Sequence, residues 1–282
     1  MKLLRYGKAG KERPGLLDAD GKIRDLSEHV DDWNGAALSP KSLAKIAKLK
    51  AHKLPLVKGT PRLGSCVVRP GNFIAVGLNY ADHAAETGAA IPKEPILFNK
   101  APNCVIGPND DVMLPKGSVK TDWEVELAIV IGTRASYVSQ ADALAHVAGF
   151  CICNDVSERE FQAERGGQWM KGKSAPTFGP LGPWLVTPDE IADVQKLDMW
   201  LDVNGASCQR GSTATMIFSV TELVSYISQF MTLDPGDIIT TGTPPGVGLG
   251  MKPQKFLRAG DTLSLGIEGL GRQAQRVVAF EG

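Results

Sequence analysis

The sequence predicts an α+β chain that is mainly β. Three observations carry this. From about Cys66 onward, short apolar and β-branched segments alternate with Gly/Pro turns. Helical periodicity interrupts them only a few times. No glycine-rich phosphate loop follows a strand, as an alternating dinucleotide-binding fold requires.

Taken in order, the first sixty or so residues read as short strands around Asp18-Ala19-Asp20-Gly21, followed by a helix. Ser39 caps that helix, Pro40 suits its first turn, and Leu43, Ile46, Ala47 and Leu49 supply an apolar stripe. Lys41, Lys45, Lys48 and Lys50 form its solvated face. Past Leu54-Pro55-Leu56 and Gly59-Thr60-Pro61, the strand candidates are Phe73–Leu78, Glu124–Ile131, Val147–Cys153, Trp184–Val186, Met199–Val203, Asp237–Thr240, Thr262–Ile267 and Gln275–Phe280. Asn204-Gly205 is a hairpin turn, since both residues tolerate positive φ. Thr187-Pro188-Asp189-Glu190 and Ser219-Val220-Thr221-Glu222 have capping-box spacing, and the second opens an amphipathic run through Leu223, Val224, Tyr226, Ile227 and Phe230.

At 282 residues the chain is long enough for one large domain with a small appendage, or for one elaborate β-rich domain. Lys+Arg 31 against Asp+Glu 31 leaves no net charge to attract a polyanion, so nucleic acid is not an expected partner. No apolar run approaches the roughly 20 residues that span a bilayer, and charge enters Met1-Lys2-Leu3-Leu4-Arg5-Tyr6-Gly7 too early for a signal peptide. A cytoplasmic protein without membrane association is expected. The five cysteines (Cys66, Cys104, Cys151, Cys153 and Cys208) show neither a disulfide framework nor zinc-knuckle spacing, so free thiols are expected. On a strand, Cys151 and Cys153 share one face.

The richest stretch is Lys120-Thr121-Asp122-Trp123-Glu124-Val125-Glu126-Leu127-Ala128-Ile129-Val130-Ile131-Gly132. Residues i and i+2 of a strand point to one side, so Glu124 and Glu126 share a face. Two such carboxylates either pair with Lys or Arg at the surface or, if buried, need a cation. Asp155, after the apolar run Phe150–Cys153, can add a third oxygen; with neither Cys nor His among them, three carboxylates suit a hard ion, Mg²⁺ or Mn²⁺. His83 and Glu86, three apart at the opening of a short helix, are neighbours on one turn. Such a pair is either a surface contact or an oriented general base.

These motifs occur in a fixed order: Gly77-Leu78-Asn79-Tyr80-x-x-His83-x-x-Glu86, Glu94-Pro95-Ile96-Leu97-Phe98-Asn99-Lys100, Trp123-Glu124-Val125-Glu126-Leu127, Asn154-Asp155-Val156-Ser157-Glu158-Arg159, Lys171-Gly172-Lys173-Ser174 and Thr241-Gly242-Thr243-Pro244-Pro245-Gly246-Val247-Gly248. Together, over about residues 66 to 280, they resemble the fumarylacetoacetate hydrolase superfamily. The resemblance implies a small N-terminal domain (residues 1–65), a mixed β-sandwich roll as the catalytic domain (66–282), and a homodimer. It implies Mg²⁺ or Mn²⁺ held by Glu124, Glu126 and Asp155, a His83–Glu86 dyad that activates water or shuttles protons, and Lys173 stabilising developing negative charge. Lys100 and Gln162 match polar or basic positions near the substrate, and Thr243 sits on a loop that borders the site; the glycines and prolines of that loop also suit a tight structural turn. The eponymous enzyme carries a further Asp ligand before its histidine, where this chain has Ala75-Val76-Gly77. The chain therefore resembles the three-carboxylate branch, and fumarylacetoacetate is not an expected substrate.

That branch acts on 2-oxo acids. The run from Ser157 to Trp169 and the motif around Glu124 are similar to 2,4-diketo-3-deoxy-L-rhamnonate or fuconate hydrolases, with acylpyruvate hydrolases close by. The implied reaction is hydrolysis of the C–C bond of a 2,4-dioxo acid to pyruvate plus a carboxylic acid. Arg165, Gln168 and Trp169 are then substrate-covering residues on a lid, or else members of an ordinary amphipathic loop-helix. The alternatives are an isomerase or decarboxylase of a 2-oxo acid of the oxaloacetate or hydroxymuconate type, a ureidoglycolate lyase, and a non-enzymatic metal-bound scaffold.

Overall fold

The computed structural model describes residues 1–88 and 90–281. At the amino terminus β1 (Lys2–Tyr6), β2 (Arg13–Leu17) and β3 (Ile23–Asp25) form an antiparallel meander. Asp18 closes its second turn by accepting the N–H groups of Asp20 and Lys22. Helix α1 (Pro40–Ile46) starts as expected, with the Ser39 hydroxyl accepting the Ser42 N–H.

The remaining chain adds β4 (Phe73–Gly77), α2 (Ala81–Thr87), β5 (Ile96–Asn99), β6 (Val105–Ile106), β7 (Val112–Met113), β8 (Thr121–Asp122), β9 (Val125–Ile131) and β10 (Val147–Asn154). Then come β11 (Ser157–Glu158), α3 (Met170–Lys173), β12 (Gly179–Val186), β13 (Asp198–Val203), β14 (Ala206–Ser212), α4 (Val220–Ile227), β15 (Ile238–Thr240), β16 (Thr262–Ile267) and β17 (Gly271–Val278). The large sheet runs β3-β2-β1-β12-β10-β9-β15-β4-β5, with β6 beside β12. A second sheet runs β14-β13-β16-β17-β7, and β8 pairs with β11.

Strands β9 and β10 form the middle of the molecule and are buried on both faces. Val125, Leu127, Ile129 and Ile131 point into a core shared with the second sheet (Met199, Leu201, Leu265) and with α4 (Leu223, Val224, Ile227). Ala128 and Val130 point the other way, with Cys151 and Cys153, into a core shared with Leu3, Leu16, Trp33 and Ile46. This two-sided burial explains the near-continuous apolar runs in both strands. The two cysteines are free thiols on one face, as their spacing implies. The amino-terminal strands extend the large sheet, because Lys2 and Leu3 of β1 pair with Val186 and Leu185 of β12.

Helix α4 has the expected capping box between Ser219 and Glu222. The similar spacing at Thr187 yields only one 3-10 turn, Pro188–Glu190. There the Thr187 hydroxyl accepts from the Met1 ammonium instead of from the turn's own N–H groups. The hairpin between β13 and β14 turns at Asn204-Gly205, both at positive φ.

Candidate active site

Antiparallel pairing of β9 with β10 assembles the acidic cluster. Glu126 lies opposite Cys153, Val125 lies opposite Asn154, and one step further the Asp155 N–H donates to the Glu124 carbonyl at 2.9 Å. All three carboxylates are buried, and each offers an oxygen within 4.8 Å of the other two.

Three buried negative charges repel strongly unless compensated. Lys173 Nζ lies 2.6 Å from Glu124 Oε2 and 2.7 Å from Asp155 Oδ2. Lys100 Nζ donates to Asp155 Oδ1 and to the Lys173 carbonyl, both at 2.5 Å. Arg159 reaches Glu124 Oε1 at 2.7 Å and Asp122 Oδ2 at 2.8 Å. Burial works to raise the Glu124 pKa, but Lys173 and Arg159 outweigh it and hold the carboxyl well below the usual range. Glu126 differs. It accepts the Gly242 N–H at 2.9 Å, and among the described residues no lysine or arginine forms an ion pair with it. Burial, together with the charges of Asp155 and Glu124, pushes its pKa well up.

Four carboxyl groups (Asp122, Glu124, Glu126, Asp155) thus meet three cations (Lys100, Arg159, Lys173), and Glu126, the one without an ion pair among the described residues, is held toward its neutral form unless a further cation is present. A hard divalent cation on the three clustered oxygens would supply that charge, so the donor set fits Mg²⁺ or Mn²⁺.

The second component comes from β4 and α2. Asn79 fixes the turn between them, donating to the Phe218 and Thr241 carbonyls at 3.0 and 2.9 Å and accepting the Phe218 N–H at 2.7 Å. Leu78 beside it has φ +51°, a strained value for a branched side chain, and sits on the cavity wall. His83 Nδ1 is 3.1 Å from Glu86 Oε2, and Glu86 in turn accepts the Gly246 N–H at 3.0 Å. An Nδ1–H donated to Glu86 makes Nε2 the basic nitrogen.

Both components open onto one cavity of about 270 Å³, lined by His83, Glu124, Glu126, Arg159, Gln162 and Lys173 at its polar end. Trp169 and Thr243 also line it. The Trp169 indole packs edge-on against Phe98, with centroids 5.3 Å apart. A Cβ on Gly77 would lie 2.3 Å from that indole, so only glycine permits this approach. Thr243 spends its hydroxyl on the scaffold, donating to the Val125 carbonyl and accepting from Gln209.

Other expected residues lie elsewhere. Lys100 is fully buried behind Asp155 and does not line the cavity; it donates to Asp155 and to the Lys173 carbonyl. Arg165 is exposed, pairs with Glu160 at 2.7 Å and stacks on Phe161. Gln168 lines a separate shallow groove with Phe161 and Met170. Two residues that sequence reasoning missed are central. Arg159 joins Glu124, Asp122 and Gln162, and fully buried Asp122 also accepts the N–H groups of Gly248 and Leu249 at 2.7 and 3.0 Å. Their signal was present, since Asp122 precedes the two glutamates and Arg159 follows Asp155 within the same motifs.

A mainly β fold thus brings buried, clustered carboxylates together with a histidine–glutamate pair on one cavity. Residues 72–278 match the family described as fumarylacetoacetate (FAA) hydrolase C-terminal, and the chain belongs to that family. A Burkholderia ambifaria protein, named as a hydrolase with no substrate given, is 60% identical over 276 residues, 98% of each chain. The fumarylacetoacetate hydrolase of Exiguobacterium antarcticum superposes with a TM-score of 0.86 at 36% identity, covering 99% of this chain and 100% of that one. A 5-carboxymethyl-2-hydroxymuconate delta-isomerase of Mycobacterium smegmatis gives 0.77 at 32% identity, with both chains fully covered. The maleylpyruvate hydrolase of a Sphingobium species, solved with manganese(II) and pyruvate, gives 0.82 at 28% identity, again with both fully covered.

Proposed function

We propose that this chain is a divalent-metal-dependent hydrolase that cleaves the C3–C4 bond of a 2,4-dioxo acid, releasing pyruvate and a carboxylic acid. The observation that carries this reading is that Glu124, Glu126 and His83 line the same cavity, with the His83 ring held by Glu86. The pyruvate and manganese in the similar maleylpyruvate hydrolase support it, since pyruvate is the 2-oxo half of such a substrate.

Glu124, Glu126 and Asp155 would hold Mg²⁺ or Mn²⁺, which when bound supplies Lewis acidity toward a 2-oxo carboxylate. The remaining work falls to the chain. His83 takes a proton from water, and Glu86 stabilises the imidazolium that results. The water oxygen bonds to C4, the C3–C4 bond breaks, and its electron pair stays on C3 in conjugation with the 2-oxo group. Lys173 and Arg159 supply positive charge to that developing anion. His83 returns its proton to C3, completing the methyl group of pyruvate, and C4 leaves as a carboxylic acid that gives up its remaining proton to solvent. Trp169, packed on Phe98 at the cavity wall, narrows the access of bulk water.

A second reading, isomerisation of a 2-oxo acid, is favoured by the structural likeness to the hydroxymuconate isomerase. It uses His83 to move a proton between carbons and consumes no water. Acylpyruvates, 2,4-diketo-3-deoxy sugar acids and hydroxymuconates, each incubated with Mg²⁺ or Mn²⁺ and with a chelator control, separate the two. Hydrolysis gives pyruvate and a second acid in equal amount, stopped by the chelator. A single product isomeric with its substrate supports the second reading and overturns the first.

A further inference from the structure

We infer that Asp122 is a positioning residue of the histidine–glutamate pair: its carboxylate holds the turn at residues 246–250 where that turn fixes Glu86, and through Glu86 the His83 ring. The role of His83 rests on the hydrolase reading above. What is added is the residue that sets the ring from outside the cavity, since Asp122 does not line it.

The backbone N–H groups of the glycine- and proline-rich segment 242–250 bind carboxylates from three different elements. Gly242 donates to Glu126 of β9 at 2.9 Å, and Gly246 donates to Glu86 of α2 at 3.0 Å. Gly248 and Leu249 donate to Asp122 of β8 at 2.7 and 3.0 Å. The segment also presses on Glu86 from a second side, because a Cβ on Gly250 would lie 2.9 Å from its carboxyl carbon. Displacing the turn therefore withdraws the N–H that fixes the Glu86 carboxylate, the group 3.1 Å from His83 Nδ1.

Asp122 is the anchor of that turn. It is fully buried, and besides the two turn N–H groups it accepts the Trp123 N–H at 2.9 Å and Arg159 Nε and Nη2 at 2.9 and 2.8 Å. Every one of these partners is a donor, so the position requires a carboxylate. A buried asparagine would set its own NH₂ group against N–H groups of the turn or of Arg159. The neighbouring Trp123 indole N–H donates to the Gly246 carbonyl at 3.1 Å and forms a second, neutral tie to the same turn.

The test reads the ring directly. ¹H–¹⁵N spectra of the Mg²⁺-loaded protein with ¹⁵N-labelled histidine, at about pH 8.5 where imidazole is neutral, report which ring nitrogen carries the proton. His83→Ala identifies the His83 signals among the chain's four histidines. The parent should show one Nδ1–H tautomer. Asp122→Asn, folded by circular dichroism, should populate the Nε2–H tautomer as well, and Trp123→Phe should do so to a smaller extent. With 2,4-dioxopentanoate as substrate, Asp122→Asn should lower kcat about 10–100-fold. The same change should cost less when placed on Glu86→Gln, since both act on one ring. An unchanged His83 tautomer in folded Asp122→Asn overturns the inference, as do strictly additive losses, which a merely structural role would give. Where Asp122→Asn does not fold, Trp123→Phe decides, and an unchanged tautomer there overturns the inference. If 2,4-dioxopentanoate is left intact, that counts against the hydrolase reading alone, and the spectrum still decides the role of Asp122.

Discussion

Replacing Lys100 with methionine removes a fully buried cation but keeps an unbranched chain of similar volume, so the loss is electrostatic rather than one of packing. Burial alone would lower the Lys100 pKa, yet the charge of Asp155 more than offsets it and the ammonium is held above its ordinary value. Deleting one partner of a buried pair costs about 3–5 kcal/mol. Unfolding entropy of about 2.1 cal/mol/K per residue gives roughly 0.6 kcal/mol/K for 282 residues. The melting temperature of the metal-free protein should therefore fall by about 5–8 °C. The assay is thermal unfolding followed by circular dichroism in chelator, then with Mn²⁺. Saturating metal at about a hundred times its Kd should return about 2.7 kcal/mol. Because Lys100 lies outside the cavity, KM should move by less than about twofold. A melting temperature within about 2 °C of the parent, together with a large rise in KM, would refute this reasoning and place Lys100 against the substrate.

Glu126→Ala removes the carboxylate that lacks an ion pair, so it should abolish Mn²⁺ binding in a calorimetric titration while the circular dichroism spectrum stays that of a folded protein; undiminished affinity contradicts the ligand set. His83→Ala should retain Mn²⁺ and lose about 10²–10⁴-fold in turnover, with Glu86→Gln losing less, as steady-state kinetics at saturating metal will read. Gly77→Ala drives a methyl toward the Trp169 ring, 2.3 Å from where its Cβ would sit, and should displace the indole. Its expected signature is a raised KM with altered tryptophan fluorescence, and parental values for both would show that the indole does not shape the cavity.

Much of this was legible in the sequence because burial on both faces leaves a strong mark. The cores of β4, β9, β10 and β16 read directly as apolar runs. Glu124 and Glu126 shared a face by strand periodicity alone, and the order of motifs tied them to Asp155, His83 and Lys173. The illegible parts depend on partners distant in sequence. Asp122 and Arg159 are 37 residues apart and meet only because β8 pairs with β11. Lys100 sits beyond β5, and nothing local says whether its ammonium faces a cavity or the back of Asp155. The Thr187 spacing suggested a helix start, but the hydroxyl found a competing donor at Met1, 186 residues away. Continuity of the first strands with the large sheet was equally invisible, since β1 pairs with β12 across most of the chain.

The central claim is that water is added across the C3–C4 bond of a 2,4-dioxo acid. Turnover of an acylpyruvate in ¹⁸O-water with Mg²⁺, followed by mass spectrometry of the released acid, tests it most directly. Label in the carboxylate of the distal acid, with pyruvate in equal amount, is the expected result, because the water oxygen bonds to C4. Conversion of a hydroxymuconate to an unlabelled isomer, or loss of carbon dioxide from oxaloacetate, with acylpyruvates left intact, would contradict it.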